Sequence, residues 1–267
     1  MSEADRAFVG SVPEIYERYL GPMLFEPFAQ DMADRFAGFA GPLLETAAGT
    51  GRLTRRLALA TAGAARITAT DFNPPMLAQA EAQVRDPRIT WRQADAQALP
   101  FADESFEAVV CQFGVMFFPD KAAAYAQARR VLRPGGRFVF SVWSDLAAND
   151  FTRAVTEVLG ETFPKDPPTF LTRVVNGYHD EAEIGAGLIA AGFSEVEFEI
   201  VTLPTPAASA ADAAYGLTHG SPLRGDLEGR GAGMLEAVCE AVAARIRERF
   251  GDPPAGRGRA LVTTATV

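Results

Sequence analysis

Cysteine and histidine are scarce, with two of each in 267 residues. Cys111 and Cys239 lie far apart, each inside an apolar-patterned segment. That pattern excludes a disulfide or metal framework and predicts two buried free thiols in a reducing cytoplasm. His179 in "NGYHDEAEI" and His219 in "LTHGSP" are the only candidate histidine bases, although a lone loop histidine is more often a surface residue. There is no run of about 18 uncharged apolar residues, so no membrane span is expected. The start, Met1–Ser2–Glu3–Ala4–Asp5, has neither a basic nor an apolar region, which argues against a secretory signal. Positive charge is in deficit. The net charge of -9 disfavours nucleic acid and anionic membrane as partners. The arginines at 245, 247, 249, 257 and 259 therefore read as a solvated face.

What is present is an alternation. Strand-length apolar runs occur at Leu43–Thr46, Arg66–Asp71, Ile89–Asp95, Ala108–Gly114 and Arg137–Trp143. Helical periods fill the gaps at Leu53–Ala60, Asn73–Val84 and Lys121–Leu132. Such order implies right-handed βαβ units and a parallel sheet covered on both faces. Asn73 before Pro74 and Asp120 before Lys121 read as helix caps, and "RPGG" (Arg133–Gly136) as a helix-ending turn. Upstream, Val12–Phe39 is helical with a break expected at Gly21-Pro22. Downstream, helices are predicted around Phe151–Leu159, at Glu181–Ala191 and at Met234–Phe250. The last of these turns Leu235, Val238, Cys239, Val242 and Ile246 to one face. Glu195–Leu203 and Arg259–Val267 are predicted late strands, and the excursion between them suggests an antiparallel end to the sheet.

The loop "ETAAGTG" (Glu45–Gly51) follows the first strand, at the carboxyl end where open α/β sheets bind ligands. A dinucleotide fingerprint in this register needs glycine at 47, 49 and 52, and finds Ala47, Gly49 and Arg52. A P-loop needs a lysine that is missing. The loop thus allows close backbone approach without matching a phosphate motif. Three acids surround it. Asp71 closes the second strand, where it could accept from vicinal ribose hydroxyls. Asp95, beside the small Ala96, could accept from an exocyclic amine on adenine. Glu45 could face an ammonium group. The plain alternatives are a helix cap for Asp71, a strand end for Asp95, a surface acid for Glu45 and an ordinary turn for the glycines. Together the acids describe an amine, a ribose and an adenine without phosphate, which is S-adenosylmethionine.

"LLETAAGTGRL", "TATDFNPPML", "RQADAQALPFADESFEAVVCQFGVMFFPD" and "RVLRPGGRFVFSVW" resemble, in order and spacing, the motifs of class I S-adenosylmethionine-dependent methyltransferases. The likeness is greatest to the small-molecule and quinone-type family. It is strong over about residues 40–145 and weaker beyond. It implies a Rossmann-like, doubly wound seven-stranded α/β sheet, mostly parallel with an antiparallel last strand, carrying helical lid insertions. The implied division is a helical cap at 1–40, the cofactor core at 41–145, lid insertions at 146–258 around late core elements at 181–203, and a final strand at 259–267. By resemblance Glu45, Gly49 and Gly51 line the methionine and ribose, Phe72 or Met76 lies against adenine, and Gln112 lies near the sulfonium. Ala47 departs from the family's usual glycine, which alanine can replace if its φ is negative.

S-adenosylmethionine is thus the expected cofactor and S-adenosylhomocysteine the product. "NPPM" and "DPPT" look like the motif that grips an exocyclic amine, but neither follows the fourth strand, so a nucleic-acid substrate is discounted. Tyr16, Tyr19, Phe117 and Tyr178 are candidates for the acceptor pocket; core packing is the alternative for the first two. The lid's aromatics suggest a small, partly apolar acceptor, and no metal is expected. The expected enzyme acts in the cytoplasm, with a homodimer admitted. A non-catalytic cofactor-binding regulator and a nucleotide-dependent oxidoreductase are the alternatives, the latter opposed by Arg52.

Overall fold

Alternating apolar runs become the strands of one sheet. A computed structural model describes residues 10–267. The strands are β1 (Pro42–Glu45), β2 (Arg66–Asp71), β3 (Ile89–Gln93), β4 (Phe106–Gln112), β5 (Leu132–Trp143), β6 (Glu195–Pro206) and β7 (Ala255–Thr266). They form a seven-stranded sheet in the order β3-β2-β1-β4-β5-β7-β6. β1 pairs in parallel with both β2 and β4, and β4 pairs in parallel with β5. Leu43, Leu44, Val109 and Val110 are fully buried, as central parallel strands require. β7 runs antiparallel. Its end meets the beginning of β5 through Val267 N–H to Gly136 O (2.9 Å), and its beginning meets the end of β5 through Ser144 N–H to Arg259 O (3.0 Å). The sequence order reverses between β1 and β4, so the β1 loop sits at the switch point of the sheet.

The chain divides into two compact units. One comprises Ala29–Val142, His179–Val201 and Ala260–Val267. It holds α3 (Arg52–Ala60), α4 (Pro74–Gln83), α5 (Lys121–Val131) and α7 (Glu181–Ala190). Asp120 caps α5 by accepting from Ala123 N–H at 2.9 Å, as its position predicts. Asn73 does not cap α4 with its side chain; Asp71 Oδ1 instead accepts the Asn73 N–H at 2.8 Å. β3 stops at Gln93, so Asp95 lies beyond the strand. "RPGG" falls inside β5, which begins at Leu132. The register jumps there from Phe106–Leu132 to Ala108–Arg137, and Gly135 takes φ +74°, absorbing the extra residues as a bulge.

The other unit is made of the segment ending at Phe28, Trp143–Tyr178 and Thr202–Arg259. The break expected at Gly21-Pro22 does not occur. α1 (Val12–Ile15) runs into a π-helix over Tyr16–Phe25, which continues as α2 (Glu26–Asp34). Pro22 has no N–H and its ring would press on the carbonyl four residues back; wider turns relieve both constraints. The Glu26 N–H accordingly reaches back five residues, to Gly21 O. A second π stretch, Leu171–Val175, follows α6 (Asp150–Thr162). The excursion after β6 resolves into α8 (Ala210–His219), α9 (Leu223–Gly229) and α10 (Met234–Phe250). α10 buries Leu235, Val238, Val242 and Ile246 as patterned, but Cys239 is only half-buried, at the margin of that stripe. Both cysteines are free.

Gly216 of α8 lets the π-helix close in. A Cβ there would lie 2.8 Å from Tyr19 Cβ and 3.1 Å from Leu20 Cδ2. Gly216→Val is therefore expected to destabilise by about 1–3 kcal/mol in denaturant unfolding, through overpacking. Gly225→Ala in α9, where an added Cβ meets open space, should instead gain about 0.5–1 kcal/mol.

Candidate active site

The backbone after β1 is tied to both neighbouring strands. Thr46 N–H donates to Val110 O of β4, and Ala48 N–H to Thr70 O of β2, each at 2.9 Å. Thr70 Oγ1 donates to Glu45 O at 2.9 Å. Then Gly49 N–H donates to Asp71 Oδ2 at 2.8 Å, and Gly51 N–H to Ala48 O at 3.0 Å. Ala47, Gly49 and Gly51 all hold positive φ, at +54°, +57° and +80°. This alternation shows why glycine suits every second position of the loop. The condition under which alanine replaces the family's glycine freely, a negative φ at Ala47, is thus not met, and a left-handed alanine costs about 1–2 kcal/mol. Opposite it, Phe113 at the end of β4 holds φ +52°. Gly114 seats the two loops: a Cβ there would lie 2.5 Å from Ala47 Cβ and 2.6 Å from Cys111 Sγ. Strain on both sides of a switch point is the kind that a binding site retains.

The two loop glycines have different surroundings. A Cβ on Gly49 would meet nothing within 4 Å, so a bare backbone faces open space. A Cβ on Gly51 would meet Ala80 Cβ and Trp91 Cη2 at 3.0 Å and Val84 Cγ2 at 3.3 Å. Gly51 thus serves the packing of α3 against α4 and β3. Met76 is buried, whereas Phe72, next to Asp71, is 48% exposed.

Two of the three acids are unusually buried. Glu45 is 1% and Asp71 6% exposed. Burial pushes the Glu45 carboxyl up to about 8; Thr54 works against this and Asp71 adds to it. The Thr54 hydroxyl on α3 is close enough to matter, yet among the described residues neither Glu45 Oε2 nor Thr54 Oγ1 has a partner within hydrogen-bond geometry. A buried carboxylate oxygen without a donor is costly unless a ligand supplies one. Burial also raises Asp71, opposed by the N–H groups of Asn73 and Gly49. Each Asp71 oxygen accepts one of those N–H groups, and a carboxylate has about four acceptor sites, so capacity remains for hydroxyl donors. Asp71 O also accepts Ala94 N–H at 3.1 Å, fixing the start of the next loop.

In that loop Asp95 Oδ1 accepts Gln97 N–H at 2.9 Å and Gln97 Nε2 at 3.0 Å. Gln97 Oε1 in turn accepts Asp120 N–H at 2.7 Å, bracing the loop on the start of α5. Asp95 and Ala96 are half-buried. Gln112 ends β4 opposite Ser141, whose buried Oγ has no partner. Phe117 closes a short turn, Val115–Phe117, and is half-buried. The structure therefore brings Glu45, Ala47, Gly49, Asp71 and Phe72 together in one unit. Sequence reading missed Thr54, Gln97 and Ser141; a polar residue at an apolar position of an amphipathic helix was the available signal for Thr54.

The other candidates are distributed differently. Tyr16 stacks on Phe25 with centroids 4.7 Å apart. Tyr19 meets Tyr215 edge-on at 5.1 Å, and Tyr215 stacks on His219 at 4.1 Å. His219 Nδ1 is 2.8 Å from Thr218 Oγ1, and burial holds its pKa below the usual value, with Arg224 adding to the shift. Tyr178 is buried at the end of a segment of that same unit. His179 is half-buried and falls in the sheet unit, just before the α7 cap Asp180.

Ala47→Gly should raise stability by about 0.5–1 kcal/mol, read by denaturant unfolding, because glycine adopts that φ without strain. Glu45 titrates high in the fold, so the folded chain holds a proton that the unfolded chain releases. Stability should fall between about pH 4.5 and 8 at up to about 1.4 kcal/mol per unit. Glu45→Gln should remove that slope, and its advantage in melting temperature should widen from pH 5 to 8.

A methyltransferase-domain family matches residues 44–140, which spans the β1 loop, Asp71, Asp95 and Gln112. The chain is 32% identical over 174 residues to the ubiquinone/menaquinone biosynthesis C-methyltransferase UbiE of Paracoccus denitrificans, covering 60% of this chain and 69% of that one. Its fold is shared with Haemonchus contortus phosphoethanolamine N-methyltransferase 2, solved with S-adenosylhomocysteine. That likeness has a TM-score of 0.63 at 16% identity, over 98% of this chain and 58% of that one. A methyltransferase of an antibiotic pathway from Anabaena variabilis superposes with a TM-score of 0.60 at 17% identity, over 91% and 98% of the two chains. An unpartnered Glu45 oxygen, a bare backbone at Gly49 and spare acceptor sites on Asp71 suit the amine and ribose of the same cofactor. The chain belongs to the class I S-adenosylmethionine-dependent methyltransferases, near their quinone-type family.

Proposed function

We propose that this methyltransferase transfers the methyl group to a small, partly apolar acceptor of the hydroquinone class, at ring carbon. The observation that carries the acceptor class is the 32% identity to the Paracoccus enzyme over 69% of its length, since that enzyme is named for C-methylation in quinone biosynthesis. When bound, S-adenosylmethionine supplies an electrophilic methyl on a sulfonium. The chain's part is to bind and orient. Glu45 pairs with the ammonium through its unpartnered oxygen. Asp71 takes the ribose hydroxyls on its remaining lone pairs while holding Gly49 in place. The exposed Phe72 ring covers adenine, and Asp95, steadied by Gln97, accepts from its amine. Gln112 lies toward the sulfonium. Gly51 and Met76 support the site from the packed interior.

Transfer proceeds by in-line displacement, for which alignment at about 3–3.5 Å contributes most of the rate. In this reading the helical unit, with Tyr16, Tyr19 and Tyr178, selects the acceptor. His219 or His179 serves as base if the acceptor must lose a proton. The free thiols support action in a reducing compartment.

The test is turnover. The purified chain with S-adenosylmethionine and 1,4-naphthohydroquinone should yield S-adenosylhomocysteine and a ring-methylated product by mass spectrometry. Methylation of phenols or amines but no hydroquinone would sink the acceptor class. Turnover with no acceptor of any class, despite cofactor binding, would favour a non-catalytic regulator. Asp71→Ala should weaken S-adenosylhomocysteine binding by about 1–3 kcal/mol in calorimetry, the cost of unpaired hydroxyls; unchanged affinity removes Asp71 from the site.

A further inference from the structure

The placement of Glu45 has a consequence for cofactor binding. Its side chain is sealed from water, and Oε2 has no donor among the described residues. Among the described residues, the groups that act on it are Asp71 on β2, Cys111 on β4 and the Thr54 hydroxyl on α3, and none of these is a cation. An isolated anion is unfavourable in such surroundings, and a second carboxylate nearby makes it more so. An arriving ammonium reverses the balance, because it offers both a donor and an opposite charge.

We propose that Glu45 is protonated in the cofactor-free protein and loses that proton when the cofactor's ammonium binds, so that each binding event releases a proton to solvent. The inference rests on the reading of Glu45 as the ammonium's partner. The proton leaves from the carboxyl oxygen as the N–H···O contact forms, and no other bond changes. Binding is thereby linked to pH through the amino-acid end of the ligand, not its nucleoside end. Asp71, which faces the ribose, has two backbone N–H donors of its own and stays out of the exchange.

Calorimetry of the full chain with S-adenosylhomocysteine at pH 7, in phosphate and in Tris, reads proton release from the dependence of heat on buffer ionisation enthalpy. With the Glu45 carboxyl at about 8, about 0.9 proton should be released per ligand. Methylthioadenosine, which keeps the adenine, ribose and sulfur but lacks the amino acid, should release none. The affinity for S-adenosylhomocysteine should rise roughly 25-fold from pH 6.5 to 8.5, and that for methylthioadenosine should stay flat. Glu45→Gln should bind with no buffer dependence. The parent chain's pH series tests the proposal even if that variant does not fold. Binding of S-adenosylhomocysteine without proton release overturns the proposal and leaves the cofactor site standing. Equal release from both ligands overturns it in favour of Asp71. Failure of both ligands to bind overturns the site reading and the proposal together.

Discussion

The hydrogen bond from Gly49 N–H to Asp71 Oδ2 joins the loop after β1 to the end of β2, and the site is built around it. It fixes where the bare backbone lies, because Gly49 has left-handed φ and no side chain to hold it by packing. It also fixes the carboxylate, whose other oxygen is taken by Asn73 N–H at the start of α4. One side chain therefore sets the relative position of two loops. In the proposed reading a ligand bonded to Asp71 also feels the glycine loop, and loss of the carboxylate removes a proposed ligand partner and a brace in one step.

Cost accumulates around that bond. Ala47 and Phe113 hold strained φ, and Glu45, Thr54 and Ser141 have buried polar atoms without partners. Each is unfavourable in the ligand-free chain, and all lie at or beside the ends of β1, β4 and β5 or on α3 above them. Packing elsewhere in the sheet sustains them: Leu43, Leu44, Val109, Val110 and Phe140 are fully buried. The apolar centre of a parallel sheet is rigid enough to hold such a strained and under-bonded polar rim in place.

Much of this could be read from the chain, because sheet order and loop position follow from short-range pattern. Strand-length apolar runs separated by helical periods identified all seven strands, and the placing of Glu45 and Asp71 at strand ends followed from the same pattern, whereas Asp95 falls two residues past the end of β3. What was hidden depended on contacts far apart in sequence. The π-helix arises where Pro22 meets a helix that tertiary packing keeps intact, so local rules foresaw a break. The φ of Ala47 is set by bonds to β2 and β4, which a glycine-to-alanine comparison cannot register. The packing of Gly51 against Trp91, Ala80 and Val84 was hidden because glycine spacing does not reveal which side its missing Cβ faces. α8 lay within the excursion between the late strands and was not predicted, although Ser209 caps its start by accepting from Asp212 N–H.

The distinction between Gly49 and Gly51 bears on how such loops are read. Both have positive φ, and a motif scores them alike. One opens toward empty space and the other is pressed by Trp91, Ala80 and Val84. A side chain at Gly49 would bear the strain of a left-handed φ but meet no neighbour, whereas one at Gly51 would bear that strain and also press on Ala80, Trp91 and Val84. The motif thus superposes two surroundings, open space at Gly49 and close packing at Gly51, which share a backbone conformation. Ala47 fits between them: its methyl group touches the seat made by Gly114, so it can be tolerated where strain is the only charge against it.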